Sequence, residues 1–271
     1  MTLPAPRSDG TFIVTGASAG IGVELARQLA ARGLGLTLVA RREDRLLALA
    51  AELSDAHPIR VEVIAADLAD EGSRTRIATE LVDRGLEADG LVNNAGFSTT
   101  GPVSASDPLR EIAMIRTDVE AVVHLCSLFL PGMVERNRGA ILNVASTAAF
   151  QPLPGQAGYS ASKAFVLSYS QAVAAEVAAT AVTVTALCPG PVKTEFAEAA
   201  GMSESDTNSL PGFMWVTAAD VAAAAVEGME KGRRVVIPGA ANKVSAVSGH
   251  LTPRRVLLPI LAKQHPSLKK D

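Results

Sequence analysis

Aromatic side chains are scarce: 4% of 271 residues, with one tryptophan and only two tyrosines, Tyr159 and Tyr169. Cysteine occurs twice, as Cys126 and Cys188, inside the apolar runs "HLCSLFL" and "VTALCPG". That placement predicts buried, reduced thiols and excludes a disulfide framework. The four histidines are scattered, so no metal-ligand spacing exists and no metal is expected. No apolar run reaches the ~18 residues of a membrane span, and the opening "MTLPAPRSDG" lacks the apolar core of a secretion signal. Together these absences predict a cytoplasmic protein without a transmembrane segment. Most of the chain also lacks a basic block, and the formal net charge is −3. Nucleic acid is therefore not an expected partner.

What the chain does have is apolar substance, 48% of its residues, enough for a sizeable core. Short β-branched runs alternate with helical patterns. Strands are predicted at 11–15, 35–40, 61–67, 89–96, 139–146, 182–190 and 233–239. Helices are predicted at 20–32, 43–56, 70–84, 107–136, 157–179 and 217–231. This alternation implies an α/β fold, a doubly wound sheet of about seven parallel strands with helices on both faces. No repeat or linker interrupts it, so one domain is expected over residues 1–271. In such sheets ligands bind beyond the carboxyl ends of the strands, and the chemically informative residues fall there.

The first strand runs into "TGASAGIG", residues 15–22. Gly16, Gly20 and Gly22 permit a tight turn and a close backbone approach to a pyrophosphate, with a helix N-terminus behind them. Sheets that bind NAD carry an acid about 20 residues further on. Here the end of the second strand reads Ala40-Arg41-Arg42. Nothing there repels a 2′-phosphate and a guanidinium is present to bind one, a charge-assisted bond of about 1.5–3 kcal/mol. NADP(H) is the expected cofactor, with Arg41 as the first contact and Arg42 or Arg45 assisting.

The segment "YSASK" places Tyr159 four residues before Lys163, on one helix face. An ammonium ~4.5 Å from a phenolate oxygen, at an effective dielectric of ~20, attracts it by about 3.7 kcal/mol. The lysine is thus expected to draw the phenol down toward neutrality, where proton transfer is efficient. Ser146, at the end of "LNVAS", is placed to donate to a carbonyl oxygen as negative charge grows there.

With its G-x3-G-x-G turn, the "NNAG" of residues 93–96, the strand-end serine and YxxxK, the chain resembles the short-chain dehydrogenase/reductase family over about residues 11–239. The resemblance implies a Rossmann-like fold and a catalytic set of Ser146, Tyr159 and Lys163, with Lys163 also holding the nicotinamide ribose. Gly16, Ser18, Gly20, Ile21 and Gly22 would hold the cofactor's phosphates. Asp67 and Leu68 would meet the adenine, Asn93, Ala95 and Gly96 the adenosine half, and Pro189, Gly190, Val192 and Thr194 the nicotinamide. One position departs. Asp118 stands where the family carries an asparagine, and it is expected either to be solvated or to move the pH optimum upward.

The family's variable substrate loop corresponds to residues 195–216, with Phe196, Met202, Leu210, Phe213, Met214 and Trp215. Gln151 and Leu153 are expected to line the same pocket, together with Phe196 and Trp215. The tail, 240–271, mixes apolar and basic residues, and its prolines argue against one regular helix. It is expected to cap the pocket, meet another subunit or lie on a membrane. The resulting expectation is an NADPH-dependent carbonyl reductase or alcohol dehydrogenase acting on a hydrophobic ketone or aldehyde, or a 3-oxoacyl thioester. The resemblance also implies a homodimer or homotetramer, joined through the helices at 107–136 and 157–179. The rival reading is a non-enzymatic NADP(H)-binding regulator on the same fold.

Overall fold

The computed structural model describes residues 3–201, 212–264 and 268. Seven strands, β1 (Gly10–Thr15), β2 (Leu36–Ala40), β3 (Val61–Ala65), β4 (Glu87–Asn93), β5 (Ala140–Val144), β6 (Thr183–Leu187) and β7 (Val235–Val236), form one sheet. Its order is β3-β2-β1-β4-β5-β6-β7 and every pairing is parallel. Several strands stop short of their predicted ends. The residues just past β3, β4 and β6 leave the ladder and turn into the site instead.

Helices cover both faces: α1 (Gly20–Ala30), α2 (Glu43–Ala56) and α8 (Ala218–Glu230) on one, α3 (Glu71–Asp83), α5 (Ala121–Glu135) and α6 (Ala157–Glu176) on the other. Alternation along β1 feeds both cores. Phe12 and Val14 join Leu25, Leu36 and Val226, while Ile13 joins Leu125 and Val166. Cys126 and Cys188 are buried free thiols, as their apolar runs predict. The chain reverses direction across the sheet between β1 and β4, and this opens a crevice at the carboxyl edge.

The helix predicted over 107–136 is not uniform. α4 (Pro108–Ile115) starts at an Asp107 cap, whose side chain accepts from Leu109 N at 2.9 Å. A π-helical turn, Arg116–Glu120, then joins it to α5. Such wide turns concentrate at functional sites, and this one carries Asp118 into the interior.

The loop after β6 contains a short α7 (Phe196–Ala199) and a 3-10 turn at Gly212–Met214. Residues 202–211, including Met202 and Leu210, lie outside the described residues. The tail forms two helices, α9 (Ala240–Leu251) and α10 (Arg254–Gln264), broken at Thr252 and Pro253.

Candidate active site

The carboxyl edge of the sheet holds a cleft of about 1180 Å³. Its floor is the glycine turn. Gly16 and Gly20 have φ of 65° and 56°, values that L side chains rarely adopt. A methyl built on Gly16 would lie 2.9 Å from the Ala95 Cα, so the turn sits hard against the end of β4. Asn94 closes the join, its Nδ2 donating to the Thr15 carbonyl at 2.9 Å. α1 begins with neither a side-chain cap nor an acid in its first turn. Its free N–H groups and Ser18, Gly20 and Ile21 face the cleft. Gly22 lies behind the cleft wall, where a methyl would meet the Gly16 carbonyl oxygen at 2.3 Å. It shapes the turn and is not among the residues that line the cleft.

Arg41, Arg42, Asp67 and Leu68 line one end. Arg41 is exposed and has no ion pair among the described residues. Arg42 donates to Ser18 Oγ at 3.1 Å and to the Glu195 carboxylate at 2.8 Å. Asp67 accepts from Ala69 N at 3.0 Å, while the cap of α3 is Asp70, which accepts from Ser73 N at 2.7 Å. Asp67 is therefore spared the capping role. The side chain of Asn93 does not line the cleft. It is buried beneath the cleft and its Nδ2 donates to Asn143 Oδ1 at 2.8 Å. Ala95 and Gly96 do reach the cleft wall. A tight glycine cradle, an uncapped helix N-terminus and an unpaired arginine at the far end fit a phosphorylated dinucleotide.

α6 brings Tyr159 and Lys163 to the same wall, with the ammonium 5.6 Å from the phenol ring centroid. Ser146 stands two residues beyond β5. Its Oγ accepts from Ala148 N at 3.1 Å and caps a 3-10 turn, Thr147–Phe150. The hydroxyl also donates to the Pro189 carbonyl at 3.5 Å, and a hydrogen bond from Ser146 favours the ionised form of Tyr159.

Asp118 completes the group and is not solvated. It is fully buried, and its Oδ2 lies 2.9 Å from Lys163 Nζ. That approach is an ion pair without well-aligned hydrogen-bond geometry. Oδ1 accepts from Phe97 N at 3.0 Å, and Lys163 Nζ also donates to the Val144 carbonyl at 3.2 Å. Gly96 makes room for this carboxylate, since a methyl there would lie 3.0 Å from both its oxygens.

Burial raises Asp118, opposed by Lys163 and the Phe97 N–H. Burial works to lower Lys163, yet Asp118 and then Tyr159 carry it above its ordinary value. Each charge favours the ionised form of the other, while burial still carries Asp118 upward overall. Burial also pushes the Tyr159 phenol up; Lys163 opposes this, Asp118 adds to it, and the Ser146 hydrogen bond opposes it again. The net direction is upward, which corrects the expectation of a phenol drawn down by lysine alone. That expectation omitted desolvation and the lysine's own counter-ion.

Pro189, Gly190, Val192 and Thr194 follow β6 along the opposite wall. Val192 pairs with Val216 in a parallel bridge. Gly190 rests on buried Asn242 of α9, where a methyl would come within 2.3 Å of its Oδ1. Asn242 Nδ2 donates to the Met214 and Pro238 carbonyls, both at 3.1 Å. Beyond Tyr159 the cleft turns apolar. Phe196 lies 5.7 Å from the Tyr159 ring, and Leu153, Met214, Trp215 and Leu261 continue the surface beside Gln151. Leu261 and Lys263 come from α10, so the tail forms part of the cleft. Phe97, Glu195 and Asn242 had no sequence signal, because each acts through a backbone N–H or a long-range contact.

Residues 10–205 match the short chain dehydrogenase family. A very-long-chain 3-oxoacyl-CoA reductase of Anas platyrhynchos is 37% identical over 191 residues, 69% of this chain. The match spans 61% of that relative's length. Sulfoacetaldehyde reductase 2 of Chromohalobacter salexigens is 37% identical over 186 residues, 68% of this chain and 73% of the relative. A short-chain dehydrogenase from Sphingobium yanoikuyae, solved with NADPH, superposes with a TM-score of 0.79 and 32% identity. That superposition covers 92% of this chain and 95% of the other. A family match that begins at β1 and runs past the tyrosine, the lysine and the wall after β6 agrees with the geometry throughout, and the chain belongs to the short chain dehydrogenases.

Proposed function

We propose that this protein is an NADPH-dependent carbonyl reductase that acts on a hydrophobic ketone or aldehyde, with 3-oxoacyl thioesters as the leading substrate class. One observation carries the reading. Ser146, Tyr159 and the ion-paired Lys163 converge on a single cleft whose other end presents an unpaired Arg41. The apolar wall of Phe196, Met214, Trp215 and Leu261 supports a substrate with a long apolar part. The names of several relatives point the same way.

Gly16, Ser18, Gly20, Ile21 and Arg41 would hold NADPH in the cleft, and that cofactor would supply the hydride for the carbonyl carbon. The Ser146 hydroxyl donates to the carbonyl oxygen and steadies its developing charge. The Tyr159 hydroxyl gives that oxygen a proton. Lys163, whose ammonium lies 2.9 Å from Asp118, faces the resulting phenolate and stabilises it. In the direction of reduction the phenol must start protonated, so an upward-shifted phenol suits a reductase.

We also propose a cytoplasmic location; no helix among the described residues is long and apolar enough to cross a membrane. Exposed Leu109, Ile112, Ile115, Val134 and Phe165 on α4, α5 and α6 support assembly as a dimer or tetramer through those helices.

NADPH oxidation with hydrophobic ketones, aldehydes and a 3-oxoacyl thioester tests the reading, with Tyr159→Phe beside the wild type. Turnover is expected in the wild type and should fall about 10²–10⁴-fold in the variant, the worth of a positioned proton donor. NADPH binding without turnover across the panel would select the regulator reading.

A further inference from the structure

Three consecutive residues after β6 touch three separate parts of the site. Thr194 closes over the glycine turn, its Cγ2 3.1 Å from a methyl built on Gly20. Glu195 reaches the arginines beyond β2. Its Oε2 accepts from Arg42 at 2.8 Å and its Oε1 from Arg45 at 2.7 Å. Phe196 lies on Tyr159, with ring centroids 5.7 Å apart. The segment is thus a strap from the nicotinamide wall to the adenosine end.

A carboxylate that gives one oxygen to each of two guanidiniums occupies the donors that a phosphate monoester would take. Arg42 is aimed by Ser18 of the glycine turn, to which it donates twice through its side chain. Arg41, the next residue on the same rim, has no ion pair among the described residues. Both ion pairs of Glu195 are exposed. Exposed pairs are weak and screened by salt, which suits a contact made to exchange.

We propose that Glu195 is a specificity-determining residue that competes with the cofactor's 2′-phosphate for Arg42 and Arg45. The inference rests on the NADP reading above. An incoming 2′-phosphate meets Arg41 and displaces the Glu195 carboxylate from its two partners. A cofactor without that phosphate leaves the carboxylate where it is. Because Thr194 and Phe196 flank Glu195, the exchange also loosens the segment that lies on Tyr159.

Calorimetric titration of Glu195→Gln and wild type with NADP⁺ and NAD⁺ tests this. In the variant the Kd for NADP⁺ should fall about three- to tenfold, the scale of one or two exposed ion pairs. The Kd for NAD⁺ should move less than about twofold, and the NADP⁺ gain should shrink as salt screens the arginines. Equal tightening for both cofactors, no change for either, or weaker NADP⁺ binding would overturn the inference while a wild-type preference for NADP⁺ stood. Equal wild-type affinity for NAD⁺ and NADP⁺ would sink the cofactor reading and this inference with it.

Discussion

Replacing Asp118 by asparagine removes one charge from the catalytic group and little else. The amide has the carboxylate's shape and keeps an oxygen for the Phe97 N–H, now accepted at 3.0 Å. Asp118 lies 2.9 Å from the Lys163 ammonium, which lies 5.6 Å from the Tyr159 ring. The carboxylate is therefore about 8 Å from the phenol, and at an effective dielectric of ~20 it disfavours the phenolate by about 2 kcal/mol. Removing it should raise the phenol's ionisation constant by about thirtyfold. The sign follows from the roles. Reduction needs the protonated phenol, so its activity is present at low pH and lost as pH rises through the phenol's titration. Oxidation needs the phenolate and gains activity through the same range. In Asp118→Asn both limbs should move to lower pH by about 1.5 units. The assay is kcat/KM against pH in both directions, with a thermal melt to confirm folding. Superimposable profiles would refute the coupling between Asp118 and Tyr159. A move to higher pH would also refute it, and would mean that the buried Lys163 had lost its proton along with its counter-ion.

Arg41→Ala should weaken NADP⁺ by about ten- to hundredfold, the worth of one charge-assisted hydrogen bond, and leave NAD⁺ nearly unchanged; titration with both cofactors checks it. Gly190→Ala forces a methyl to within 2.3 Å of Asn242 Oδ1 and should cost about 1–3 kcal/mol of stability, read as a lowered Tm. Adding Asn242→Ala should recover part of that loss, because it removes the clashing atom; a double variant no more stable than Gly190→Ala would show that the strain lies elsewhere.

The sheet was legible because buried parallel strands read as apolar runs and the turns after them carry glycine, asparagine and proline. The pair Tyr159 and Lys163 was legible from helical spacing alone. The π turn was not, because the stretch "MIRTDVEAVVHL" has ordinary helical composition, and one extra residue in a turn leaves no compositional mark. That turn decides how Asp118 meets Lys163, so the burial of the ion pair was hidden with it. Asn93 was hard to place for a related reason. It ends a strand at the right edge, but its side chain faces the Asn143 below rather than the cleft. Glu195 was hidden because its partners are 153 and 150 residues away.

The join between Gly190 and Asn242 has a consequence for how the chain is made. A ribosome delivers β6 and its following wall well before α9 emerges. Until Asn242 arrives, Gly190 has nothing to rest on, and the Met214 and Pro238 carbonyls lack the amide that ties them together. The wall after β6 can therefore set only once α9 has been made. A nascent chain stalled before residue 242 would hold a nearly complete sheet with Tyr159 and Lys163 in place, yet its cleft wall after β6 would be unsupported. Competence thus depends on α9, a stretch that lies beyond the family match.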